Sequence, residues 1–136
     1  MTKVETGYTA EPHQHLEEGA RHLDAPLLKL DLLAEVAALR RVGMGTSGHV
    51  AKTLEKQVDL RLVLVAFASG GRLDWHHAAG PVHVHVLDGR VAVRLEDQLV
   101  ELRAGGLLAI APAIGHAVEA LAESSVLLTI LQRSKA

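Results

Sequence analysis

The chain has no cysteine among its 136 residues. Disulfides, thiolate metal centres and a cysteine nucleophile are excluded, and a cytoplasmic setting is expected. Aromatic rings are nearly absent too, with Tyr8, Phe67 and Trp75 the only Phe, Trp or Tyr residues. Stacking platforms for single-stranded nucleic acid are therefore not expected. No long basic run exists and the net charge is −2, which argues against nucleic-acid or anionic-membrane partners. The N-terminal stretch MTKVETGYTAEPHQHLEEG carries no apolar core of a secretory leader. The longest apolar run, Leu62 to Ala68, is too short to span a bilayer. Several catalytic signatures are missing as well. There is no Gly-x-Ser-x-Gly elbow, no Walker loop and no His-Glu-x-x-His helix. The adjacent carboxylates Glu17-Glu18 and Glu96-Asp97 read as solvated charges rather than a glycosidase pair.

What is present is aliphatic. Hydrophobic residues make up 49% of the chain, so the core must be Leu, Val, Ile and Ala. The length suits one domain, which can bury roughly two-thirds of its unfolded surface. Residues 1–23 are polar and unpatterned and are expected to be a flexible tail, His13 and His15 included; residues 24–136 form the domain. Leu27 to Leu30 has the look of a short strand. Asp31 is placed to cap a helix over 32–41, with Leu32, Leu33, Val36 and Leu39 on one stripe. Arg40 and Arg41 favour its C-terminal dipole end. Gly43, Gly45 and Gly48 then follow a helix and precede a strand, the reverse of a dinucleotide-binding fingerprint.

From His49 onward, short β-branched runs alternate with turn signals. The spacing predicts strands at 49–54, 59–68, 72–77, 82–87, 90–95, 98–102, 107–111, 116–120 and 125–132. Asp88-Gly89 between two valine-rich runs predicts a tight hairpin. The fold class is all-β: a jelly roll or small barrel over about 49–132, preceded by one short helix. Five of the nine histidines, His76, His77, His83, His85 and His116, fall between Trp75 and Ala120. Imidazole is a common ligand for iron, nickel, copper and zinc, so a site is expected there.

The spacing of this segment resembles the two motifs of the cupin family. The first runs Gly, five residues, His-x-His, three or four residues, Glu, six residues, Gly. Anchored on Gly89, it meets Gly70 and His76, but Ala78 stands at the second His and Val82 at the Glu. The second runs Gly, five residues, Pro-x-Gly, two residues, His, three residues, Asn. Anchored on His116, it meets Gly105, but Ala111, Ala113 and Ala120 stand at the Pro, Gly and Asn. The resemblance covers about residues 49–132 and implies a cupin jelly roll with a degenerate metal motif.

Strand periodicity then orients the side chains. With His76 facing the interior, His77 faces out; with Val82, Val84 and Val86 inside, His83 and His85 face out. A one-residue slip would reverse the latter pair. The resemblance implies metal ligands at His76 and His116; a third protein ligand would have to come from His77, from Asp74 or Glu119, or from another chain. The ligand pocket is expected at the barrel mouth among His76, His116, Val82, Val84, Val86 and Ile110. The candidate cofactor is a divalent iron, manganese, nickel or zinc, with a metal-free protein as the alternative. The leading expectation is a binding protein for a small molecule such as an acid, polyol or dicarbonyl. A metal-dependent dioxygenase or isomerase is the enzymatic alternative, and a structural module acting as a homodimer is the third. A homodimer is expected from the resemblance in any case.

Overall fold

A computed structural model of the chain describes residues 14–16 and 26–132. Most of the expected tail, with His13 and His22, lies outside the described residues. Within that tail, Gln14–Leu16 forms strand β1, which pairs in parallel with His49–Lys56, strand β2. Leu27 to Leu30, expected as a strand, joins no ladder. Leu30 is held instead by packing beside helix α1, Leu32–Arg40.

The helix begins where its cap allows. Asp31 has extended dihedrals, and its side chain accepts a hydrogen bond from the Ala34 amide at 3.2 Å. Val36 and Leu39 are the buried residues of the stripe. They pack on Val50, Leu54, Leu64 and Ala66, one face of the β2–β3 pair. Arg40 anchors the far end, donating to the Phe67 carbonyl at 3.3 Å and the Ser124 carbonyl at 2.9 Å.

The remaining strands are β3 (Leu60–Phe67), β4 (Arg72–His76), β5 (Val82–Asp88), β6 (Arg90–Arg94), β7 (Leu99–Arg103), β8 (Leu107–Ile110), β9 (His116–Ala120) and β10 (Ser124–Leu131). They form two sheets, ordered β1-β2-β3-β10-β5-β8 and β4-β9-β6-β7. All pairings but β1–β2 are antiparallel. Valines from both inner faces meet between the sheets with Phe67, Leu73, Leu128 and Ile130. Each such fully buried aliphatic side chain contributes about 1.5–3 kcal/mol.

The Asp88-Gly89 step is not a hairpin. β5 lies in the six-stranded sheet and β6 in the four-stranded one, so the chain turns a corner between sheets. Gly89 alone takes a positive φ, 84°, where a type I′ turn needs two such residues. A Cβ there would overlap Ser124 and the Glu123 carbonyl. Asp88 accepts from the Ser125 hydroxyl at 2.8 Å, fixing the corner against β10.

Candidate functional site at the barrel mouth

His76 ends β4 and His116 begins β9, and the two are directly paired across the ladder. Their rings meet edge to face, with centroids 4.4 Å apart and planes at 68°. Both are buried, His76 at 7% exposure and His116 at 0%. The arrangement depends on a bulge. The register slips between Leu73 and His76, so Asp74 and Trp75 both lie on the exposed side while Leu73 and His76 face in. Strict alternation would have put Asp74 beside His76. The bulge sends its carboxylate outward instead, 3.5 Å from the Arg72 guanidinium.

Each ring is held by the carbonyl two residues before it in the chain. His76 Nδ1 lies 2.6 Å from the Asp74 carbonyl and His116 Nδ1 lies 3.1 Å from the Ile114 carbonyl. A carbonyl only accepts, so Nδ1 carries the hydrogen in both rings. In the neutral form each Nε2 then presents a lone pair. Burial lowers the His116 pKa below its ordinary value, outweighing the opposing hydrogen bond to Ile114; the nearby His77 charge acts in the same direction as burial. His116 is therefore a neutral base near pH 7.

The other expected residues divide by depth. Val82 pairs with Ile110 on one side and Ile130 on the other, and Ile130 pairs with Arg61. These residues form one row across the large sheet. The row joins the histidine pair through loops 77–81 and 111–115, which are tied by the Ala113 amide donating to the Ala78 carbonyl at 2.9 Å. Val84 and Val86 face the interior as expected, but one and two rows deeper, packed among Leu128, Val63, Val126 and Val65. His77 is exposed and is not brought to the pair. Glu119 is also exposed, on the outer face of the small sheet. With Asp74, Trp75, Arg94 and Leu99 it lines a cleft of about 220 Å³ there, away from the mouth. Trp75 stacks over Gly115, where a Cβ would come within 2.6 Å of the indole nitrogen.

Arg61 is the mouth residue that composition and motif spacing did not single out. It is only 3% exposed and shares the inward phase of Val63, Val65 and Phe67 along β3. Burial lowers its pKa, but an arginine stays charged in a protein. The available signal was its phase: an arginine two residues before an inward valine run.

A resident catalytic metal does not fit this donor set. Val82 and Ala78 stand where the resemblance implies a carboxylate and a further imidazole, and neither can coordinate. Among the described residues no group of three or more His, Asp or Glu side chains is placed to hold an ion. Two neutral imidazoles fall short of the three protein ligands usual for catalytic zinc.

No family model and no curated protein matches the sequence. Solved structures do match it in shape. A conserved protein of unknown function from Streptococcus pyogenes superposes with a TM-score of 0.67 at 19% identity, covering 88% of this chain and 96% of that one. A cupin superfamily protein from Desulfitobacterium hafniense gives 0.67 at 18% identity, covering 84% and 100%. A cupin-2 domain protein from Shewanella frigidimarina gives 0.61 at 16% identity, covering 76% and 94%. Two facing, mostly antiparallel sheets and these likenesses in shape lead to one statement of fold: the chain has the cupin fold.

Proposed function

We propose that this protein binds a small hydroxylated carboxylic acid in the barrel mouth. The observation that carries the reading is the tethered pair of imidazoles, buried together with both Nδ1 atoms committed to carbonyls. With Nδ1 so committed, a neutral ring can accept only at Nε2, and a ligand hydroxyl would donate there. Arg61, in the adjoining row, supplies the permanent positive charge that a carboxylate requires, and its planar fork suits two carboxylate oxygens. Val82, Ile110 and Ile130 give the apolar wall that a ligand pocket needs beside its few polar groups. The same lone pairs would take a divalent ion weakly, with water in the other positions. Such binding fades as pH falls through the histidine range, because a protonated ring has no lone pair.

The experiment is a thermal-shift screen of small acids with and without hydroxyl groups, run on the wild type and on Arg61→Met. The reading expects stabilisation by hydroxy acids that is lost in the variant. Equal stabilisation of both proteins would remove the carboxylate from Arg61. Metal analysis of protein purified without chelator decides the enzymatic alternative. One tightly held equivalent that disappears in His76→Ala would favour a metalloenzyme over this reading.

A further inference from the structure

The outer face of the six-stranded sheet carries a second pair of imidazoles. His83 and His85 alternate along β5 with Val82, Val84 and Val86, which are at most 1% exposed inside the barrel. Both histidines therefore project from the opposite face, and both are half-buried. α1 covers that face over β2 and β3, through Val36 and Leu39. The rows of His83 and His85 lie farther across, toward edge strand β8. Thr129 and Ala109 flank His83, and Leu127 and Leu107 flank His85. None of these neighbours is charged, so no adjacent carboxylate pairs with either ring across the ladder.

Residues two apart on a strand lie about 6.6 Å apart and point the same way. Imidazoles so placed can turn one nitrogen each toward a common ion at the roughly 2.0–2.1 Å of a metal–imidazole bond. Leu107 and Leu127 flank His85 across the ladder, and strand alternation puts both rings on the same face. We propose that His83 and His85 form a two-imidazole chelate for a divalent transition metal, with water completing the coordination. Neutral imidazole without carboxylate selects copper, nickel or zinc over magnesium or calcium, and copper(II) binds most tightly of these. The site lies on the other face of the sheet from the mouth and does not rest on the function proposed for the mouth.

Copper(II) alone is the probe, titrated into the full chain by calorimetry and electron paramagnetic resonance. The background carries His13→Ala and His15→Ala, because those residues form another His-x-His pair in the sequence. The expected result is saturable binding with nitrogen coordination, weakened roughly a hundredfold by His83→Ala or His85→Ala alone, since either change destroys the chelate. His76→Ala should leave this affinity unchanged and remove at most a separate, weaker ion at the mouth. The outward position of both residues predicts an unaltered circular dichroism spectrum, so lost binding is not lost fold. Binding whose affinity is undiminished in both variants, or that is weakened by His76→Ala instead, overturns the proposal. So does the absence of saturable binding in the background protein.

Discussion

Two histidine pairs sit in this fold, and their surroundings make them opposites. His76 and His116 face the interior, are tied to carbonyls and touch each other ring to ring. His83 and His85 face outward from a plain alternating strand. The residue type is the same, so the difference comes from backbone geometry alone. A bulge at Asp74-Trp75 turns His76 inward, while unbroken alternation over 82–86 keeps His83 and His85 outside. The inner pair is thus fixed in tautomer and orientation, and the outer pair lies half-buried on the other face of the large sheet.

The comparison would be broken most severely at the corner that separates the sheets. Gly89→Val places a branched side chain at φ 84° and into Ser124 and the Glu123 carbonyl. We expect a loss of about 3 kcal/mol or more in urea denaturation, from strain and overlap combined. Retention of wild-type stability would show that the corner can move without disturbing β10.

A smaller effect separates the two pairs directly. His116→Ala empties a fully buried position and should cost about 2 kcal/mol or more, as truncations in packed interiors do. His85→Ala, on the outer face, should cost under about 1 kcal/mol. Equal losses in thermal unfolding would mean that the two environments are not distinct.

Acid sharpens the same contrast. The folded-state pKa of His116 lies below the unfolded value, chiefly through burial. On acidification the unfolded chain therefore takes up this proton first. The contribution of His116 is complete above about pH 6.5, the unfolded value, and is lost as pH falls from there through the folded pKa. Denaturant midpoints measured from pH 8 to pH 5 should fall more steeply for the wild type than for His116→Gln. Parallel curves would remove His116 from the pH response.

The smallest effect concerns the loop that delivers His116. Ala113 has φ 67°, at the place where the second cupin motif carries Gly. The left-handed conformation costs a residue with a Cβ about 1–2 kcal/mol, and glycine gives back part of that gain through its freer unfolded chain. Ala113→Gly should therefore stabilise by about 0.5–1 kcal/mol in a melting experiment, and a loss would show that the methyl group packs.

Much of this architecture was legible because burial in a two-sheet fold repeats every second residue. The nine strands from His49 onward emerged close to their observed bounds, and Asp31 identified itself as a cap by residue type. The resemblance to the cupin motifs implied inward positions for His76, Val82 and His116, and alternation carried Val84 and Val86 along with Val82. Non-local geometry was not. Asp88-Gly89 has hairpin chemistry, but a turn residue does not say which sheet the next strand joins. The bulge that moves Asp74 outward leaves no trace in a five-residue strand. Strand β1 depends on pairing with β2, more than thirty residues away in sequence. Arg61 was overlooked because its charge argued for the surface while its phase with Val63 and Val65 argued for the interior; phase decided.

The central claim is that the inner pair, with Arg61, receives a small hydroxy acid. Its most direct test is an NMR titration of the assigned histidine ring resonances with lactate, tartrate, citrate and gluconate. The account predicts saturable shifts at His76 and His116 for at least one of these acids, abolished by Arg61→Met, with His83 and His85 unmoved. Shifts confined to His83 and His85, or none at the inner pair for any of the four acids, would contradict it.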